Sequence, residues 1–288
     1  MYQKLGLIGC GLMGGSFALA MRRAGLVRQI TGYSPSQSTL DKALNLGVID
    51  EQATQAADAA RDADLILVAV PVAATESVLA AIAPALSPKV LVMDVGSTKC
   101  DVVAAARAAL KDRVSCFVPA HPIAGKERAG IEQADAGLYQ DRLLILTPSG
   151  DTALAKSREA TKLWEALGSQ VMSLTPEQHD TIFAAVSHLP HLLAFAFMRS
   201  VVQQPMGQRF LELAGPGFRD FTRIAASDPK VWRDILLANR EEVLRQCLMF
   251  QDELRGLSTL IASGDAQAIE QAIATASAAR ADWQMNQN

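Results

Sequence analysis

From the N-terminus to about Ser173, short β-branched apolar runs alternate with longer stretches whose apolar positions recur at helical spacing. The runs Lys4–Ile8, Gln29–Tyr33, Leu65–Val70, Val90–Asp94, Cys116–Ala120, Leu143–Thr147 and Gln170–Ser173 read as strands. Between them, Phe17–Arg23, Ser38–Leu46, Ala74–Ala83, Asp101–Leu110 and Thr152–Leu167 carry good helix formers. Strand-helix alternation of this kind implies parallel strands joined by helical crossovers. The run Leu65 to Val70 shows no polar alternation, as expected of a strand covered on both faces.

After Thr175 the pattern changes. Thr175 is placed to cap a helix with Pro176 at its first position. Beyond it the chain shows helical periodicity punctuated by Pro190, Pro205, Gly215-Pro216-Gly217, Asp228-Pro229 and Gly264, without a strand signal. Pro229–Ser263 and Asp265–Trp283 are rich in Ala, Leu, Glu, Arg and Gln. Their apolar positions are numerous enough to pack on more than one side, which suggests a subunit interface; a monomeric helical bundle is the alternative.

Composition narrows the class. The 288 residues are 50% apolar, with 27 basic and 30 acidic side chains and a formal net charge of −3. No basic stripe suggests nucleic acid, and neither a membrane-spanning run nor a cationic leader is read, so a cytoplasmic location is expected. Cys10, Cys100, Cys116 and Cys247 make neither CxxC pairs nor a zinc spacing and read as reduced thiols.

The first candidate for chemistry is Gly9-Cys10-Gly11-Leu12-Met13-Gly14, which follows a strand and opens a helix. In that context the first glycine turns the chain and the second admits a pyrophosphate to the backbone. The third lets helix and strand pack closely, and the helix N-terminus supplies amides and a positive dipole end. The expected cofactor is therefore a dinucleotide, contacted by Gly9, Gly11, Leu12, Met13, Gly14, Ser34, Val70, Pro71 and Gly96. Past the second strand, where an acid often holds the ribose hydroxyls, stand Ser34, Ser36 and Ser38. Their hydroxyls suit a 2′-phosphate, or simply turn the chain and cap the next helix. NADP is therefore allowed alongside NAD, and slightly favoured.

His121 lies just past a strand end, where ligands gather in open α/β sheets, with Pro122 stiffening the backbone beside it. Ser97, in Asp94-Val-Gly-Ser-Thr-Lys99, should sit on the same rim. A hydroxyl and an imidazole beside a nicotinamide suit alcohol oxidation; the plainer reading has Ser97 capping a helix and His121 merely hydrogen-bonded. His188-Leu-Pro-His191 invites a metal, but no carboxylate or thiol set completes it, so no metal is assigned and substrate contact or a helix-end bond is expected. His179 beside Asp180 reads as a capping or paired surface group, and Trp232 as core. Arg219 and Arg223 stand among aromatic residues, where a guanidinium could grip a carboxylate or pair with Asp220 or Asp228.

Taken in order, the glycine turn, Asp94–Lys99, His121-Pro-Ile-Ala-Gly-Lys-Glu127, His188-Leu-Pro-His191 and Phe218-Arg-Asp-Phe-Thr-Arg223 resemble the prephenate/arogenate (cyclohexadienyl) dehydrogenase family of tyrosine biosynthesis. The resemblance spans about Lys4 to Asp234. It implies an α/β protein with a dinucleotide-binding Rossmann-type parallel sheet (1–173) and an all-helical substrate and dimerisation domain (174–288) that forms a homodimer. It also implies NAD(P)-dependent oxidative decarboxylation of prephenate or arogenate, a cyclohexadienyl carboxylate. His121 matches the family's base, Ser97 the serine that binds the ring hydroxyl, Arg223 the carboxylate-binding arginine and His191 a histidine near the substrate. Lys126 stands where many relatives carry a small hydroxyl residue. No chorismate mutase or regulatory extension is expected. A β-hydroxyacid dehydrogenase is the nearest alternative, but the lysine it requires has one candidate in the helical half, Lys230, in a turn. A non-catalytic nucleotide sensor would leave Ser97, His121 and Arg223 without a purpose.

Overall fold

The computed structural model describes residues 1–126 and 128–283; Glu127, which ends the His121 motif, lies outside them. The first half builds β1 (Tyr2–Ile8), α1 (Leu12–Arg23), β2 (Val27–Tyr33), α2 (Gln37–Asn45), β3 (Glu51–Gln52), α3 (Ala56–Ala60), β4 (Leu65–Val68), α4 (Thr75–Ile82), β5 (Leu91–Asp94), α5 (Cys100–Leu110) and β6 (Phe117–Val118). The strands form one parallel sheet in the order β3-β2-β1-β4-β5-β6. That is the doubly wound order, in which the sequence of strands reverses between β1 and β4 while all run parallel, opening a crevice at their C-terminal ends. Leu65 through Val68 are buried on both faces, as their unbroken apolar run requires.

The last strand expectations need correction. Cys116–Ala120 is not one strand: it splits at Pro119 into β6 and β7 (Ala120–Pro122). Pro119 has no amide to donate, and its carbonyl accepts from Thr147 N at 2.9 Å, so the chain leaves the parallel sheet there. β7 pairs antiparallel with β8 (Leu143–Leu146), which pairs parallel with β9 (Gln170–Ser173), making a second, three-stranded sheet. The α6 helix (Leu154–Ala166) packs Trp164 against Phe17 of α1 and Tyr139, which ties the two sheets into one core. The small β3–α3 pair has no counterpart in the sequence reading.

Among the described residues only helices follow Ser173: α7 (Pro176–Phe183), α8 (Leu189–Val202), α9 (Gly207–Glu212), α10 (Pro216–Thr222), α11 (Pro229–Ala238), α12 (Arg240–Ser263) and α13 (Ala266–Asp282). Thr175 caps α7 in a reciprocal box with Gln178. Pro190 does not break the helix. α7 runs into α8 through a π turn over Ala184–His188, the local widening expected where proline removes an amide donor and crowds the preceding turn. By length and composition the continuous stretch Pro176–Val202 would suffice to cross a membrane, contrary to the sequence reading, and 28% of its most apolar window is buried within the chain.

Candidate active site

The glycine turn has the shape a dinucleotide requires. Gly9 sits at φ +102°, and a Cβ there would lie 2.2 Å from the Ala69 carbonyl oxygen. A Cβ on Gly14 would lie 2.1 Å from the Gly9 oxygen, so helix and strand approach as only glycine allows. Gly11, the N-cap of α1, faces open space and supplies no side-chain cap, leaving the first amides of a 12-residue helix for an anion. Leu12 packs onto the core and Met13 accepts the Tyr139 hydroxyl at 2.6 Å through its carbonyl. A small pocket of about 170 Å³ opens beside this turn, and Met13, Val70, Pro71, Gly96 and Ser97 all line it. Ser34 stands apart, at the end of β2. Its hydroxyl oxygen accepts Ser36 N at 3.3 Å, and Ser36 caps α2 by accepting from Thr39 N. These local bonds are those of the turn-and-cap reading.

Ser97 does not cap α5. The N-terminus of α5 is closed instead from the helical half, where the Asp180 carboxylate accepts Lys99 N and Cys100 N, each at 2.8 Å. Asp180 also accepts from His179 Nδ1 at 2.8 Å, and His179 Nε2 lies 2.8 Å from His121 Nδ1. His179, expected at the surface, is completely buried. An acceptor-only carboxylate orders this chain: His179 must hold its proton on Nδ1, so its Nε2 is a lone pair that takes the proton on His121 Nδ1. The basic nitrogen of His121 is then Nε2. Phe183 walls the relay, stacking on His179 at 4.5 Å and tilted against His121 at 4.9 Å between ring centroids.

Electrostatics keep the relay poised. Burial holds His121 well below the ordinary imidazole value, reinforced by His179, Lys99 and His188. Burial also lowers His179, against the opposing bond to Asp180. Burial pushes Asp180 up, yet its bonds from His179 and from the Cys100 and Lys99 amides outweigh that and hold it below the usual carboxylate range. Beneath the turn Lys99 is wholly buried and internally compensated: its ammonium meets Asp94 Oδ2 at 2.5 Å and the Ala120 carbonyl at 2.9 Å. Asp94 Oδ1 accepts Ala120 N at 2.9 Å, so this pair pins β7, and with it His121, to the end of β5.

The two histidines of the π-turn segment diverge. His188 is buried and pushed down to about 4, chiefly by burial. Asn239 Nδ2 lies 3.2 Å from its Nδ1 and donates to the Asp180 carbonyl at 2.7 Å. His191 turns the other way and stacks on Trp232 at 3.6 Å. Trp232 is only partly buried, not the core residue expected. It joins His191, Arg223 and Lys126 around a cleft of about 610 Å³ that the loop following β7 lines on one side. The Lys126 ammonium also donates to the Gln133 carbonyl at 3.0 Å and Asp135 at 3.1 Å.

A dinucleotide turn, a pocket at the switch point and a partly buried histidine of depressed proton affinity together point to a nicotinamide-dependent dehydrogenase. Comparison with known proteins narrows this further. Family models described as "Prephenate dehydrogenase, nucleotide-binding domain" and "Prephenate dehydrogenase, dimerization domain" match residues 17–173 and 175–275. A cyclohexadienyl dehydrogenase of Zymomonas mobilis is 35% identical over 92% of this chain and 90% of its own length. The prephenate dehydrogenase of Bacillus subtilis is 34% identical over 91% of this chain and 71% of its own. The crystal structure of Aquifex aeolicus prephenate dehydrogenase with hydroxyphenyl propionate and NAD+ superposes with a TM-score of 0.91 at 35% identity, covering 98% of both chains. The chain belongs to the prephenate dehydrogenase family. It is an NAD(P)-dependent oxidoreductase, and its helical half forms a homodimer.

Proposed function

We propose that the chain oxidatively decarboxylates a cyclohexadienyl acid in the cytoplasm, as a two-domain protein divided at 173/174, with His121 as the base. The observation that carries this reading is the ordered chain Asp180–His179–His121, which leaves Nε2 as the basic nitrogen of a His121 with depressed proton affinity, while Ser97 lines the pocket beside the glycine turn. When bound at the glycine turn, NAD or NADP supplies the hydride acceptor. His121 Nε2 takes the ring hydroxyl proton as the carbinol C–H bond breaks, and Ser97 orients that hydroxyl. The resulting dienone is the electron sink: the ring C–carboxylate bond cleaves, its pair enters the ring, and carbon dioxide leaves. The ring oxygen recovers the proton from His121, giving the phenol; aromatisation drives the step, so no metal is called for. Arg223 holds a substrate carboxylate, with His191 clamped by Trp232 alongside.

Initial rates with prephenate and arogenate, each crossed with NAD and NADP, test the reading. Reduced cofactor should appear with at least one pair, and its absence with all four would refute the assignment. His121→Asn should lower kcat by roughly 100- to 10,000-fold with cofactor binding intact. The base works only when neutral, and its affinity for a proton is depressed. Activity should therefore persist below the ordinary histidine value of 6.5 and fall only as pH drops through the lowered one.

A further inference from the structure

The pocket beside the glycine turn is closed by the helical half. α11 sets Val231, Asp234 and Ile235 against Met13 of α1 and the segments that follow β4 and β5, while its neighbouring Trp232 lines the substrate cleft. Among the described lining residues Asp234 is the only ionisable one; the rest are apolar side chains, glycine and Ser97. Its side chain is 10% exposed. Oδ1 accepts from Arg233 at 2.7 Å, but that arginine is 62% exposed, so its charge is screened by water more than the carboxylate's. The Lys99–Asp94 pair under the turn is neutral as a unit and does not compensate Asp234.

We propose that Asp234 reads the redox state of the cofactor. The oxidised nicotinamide ring carries a positive charge and the reduced ring none. A largely buried carboxylate in an otherwise apolar pocket, its arginine partner exposed to water, attracts the first across a low-dielectric gap and offers the second no such attraction. Asp234 therefore biases binding toward the oxidised cofactor and favours departure of the reduced one after turnover. Because α11 carries Trp232 to the substrate cleft as well, the same helix reports on both ligands.

The test is equilibrium binding of NAD+, NADH, NADP+ and NADPH to the intact dimer without substrate, by titration calorimetry, taking the reduced-to-oxidised Kd ratio within each pair. Asp234→Asn should lower that ratio by roughly tenfold, and Asp234→Glu should keep most of it. Arg233→Ala removes the counter-charge and should raise the ratio by a few-fold. Opposite movements of the two variants would establish the role, since a structural contact would shift both cofactor forms alike. An unchanged ratio in folded Asp234→Asn, or a fall in Arg233→Ala, would overturn it. Should Asp234→Asn fail to fold, the Arg233→Ala ratio alone decides.

Discussion

The sheet half and the helical half solve the burial problem in opposite ways. Both large buried clusters are built from residues no later than Leu167, so the sheet half completes its core within one chain. From Pro176 onward the buried apolar side chains described are Pro176, Phe183, Ala184, Leu189, Ala194, Ile235 and Val243. Along α12, by contrast, Phe250, Leu254, Leu257 and Ile261 recur four, three and four residues apart and remain exposed, Ile261 at 69%. A seam of that spacing is what a partner helix fills. The helical half therefore reaches its folded environment in the dimer, where its exposed apolar helices find cover.

The sharpest break of this contrast is Leu254→Asp with Leu257→Asp. Two carboxylates in the seam should convert the dimer to monomer, abolish turnover and unfold most of the helical half, while the sheet half keeps its parallel-sheet core. Sedimentation and hydrogen exchange by segment would show it; a stable, active dimer would mean that the seam is merely solvated. Without substitution, the Tm of the helical half should rise with protein concentration and that of the sheet half should not.

Asp180→Asn probes a side chain that serves both halves. It should lower kcat by about a hundredfold, because an amide no longer dictates the His179 tautomer, and cost roughly 1–2 kcal/mol in stability at the α5 N-terminus. A loss of stability with kcat unchanged would reduce Asp180 to a cap.

Arg223→Ala confines the damage to the substrate cleft. Losing one partner of a desolvated charge pair costs about 2–5 kcal/mol, against under about 1 kcal/mol for an exposed pair, so a KM increase above roughly 30-fold marks a substrate ligand. Lysine should recover only part, lacking the planar fork. An unchanged KM would assign the arginine to the fold. The smallest effect is expected inside the self-sufficient half. Ser34→Asp should tilt preference toward NAD by repelling a 2′-phosphate. No change in the NAD-to-NADP ratio would leave this turn a purely structural device.

What the sequence disclosed follows the same division. The glycine turn, the crossover helices and the pocket residues Met13, Val70, Pro71, Gly96 and Ser97 were legible because each depends on local pattern and on the rule that ligands gather at strand ends. His179 and Asp180 were not. Beside a capping box they look like ordinary first-turn polar residues, and nothing local reveals a contact with His121, 58 positions away. One clue was available: a histidine-carboxylate pair at the start of the helix that also carries His188 and His191. Lys99 was visible in its motif but not as a buried group, since its partners are Asp94 across the turn and the Ala120 carbonyl of another strand. Pro119 and Pro190 misled in complementary ways, the first dividing one apparent strand between two sheets and the second bending a helix it was expected to end.

The Asp180 cap also acts as an interlock. The carboxylate that sets the proton arrangement of His179 is the one that closes α5, so the cap and the onward contact from His179 to His121 are both made only while the two halves are docked. Parting them by a few ångströms would strip α5 of its cap and leave His121 without a dictated tautomer, though neither histidine nor carboxylate would have left its own helix or strand. The helix cap and the His179–His121 contact are thus made, or lost, together with the docking of the two halves.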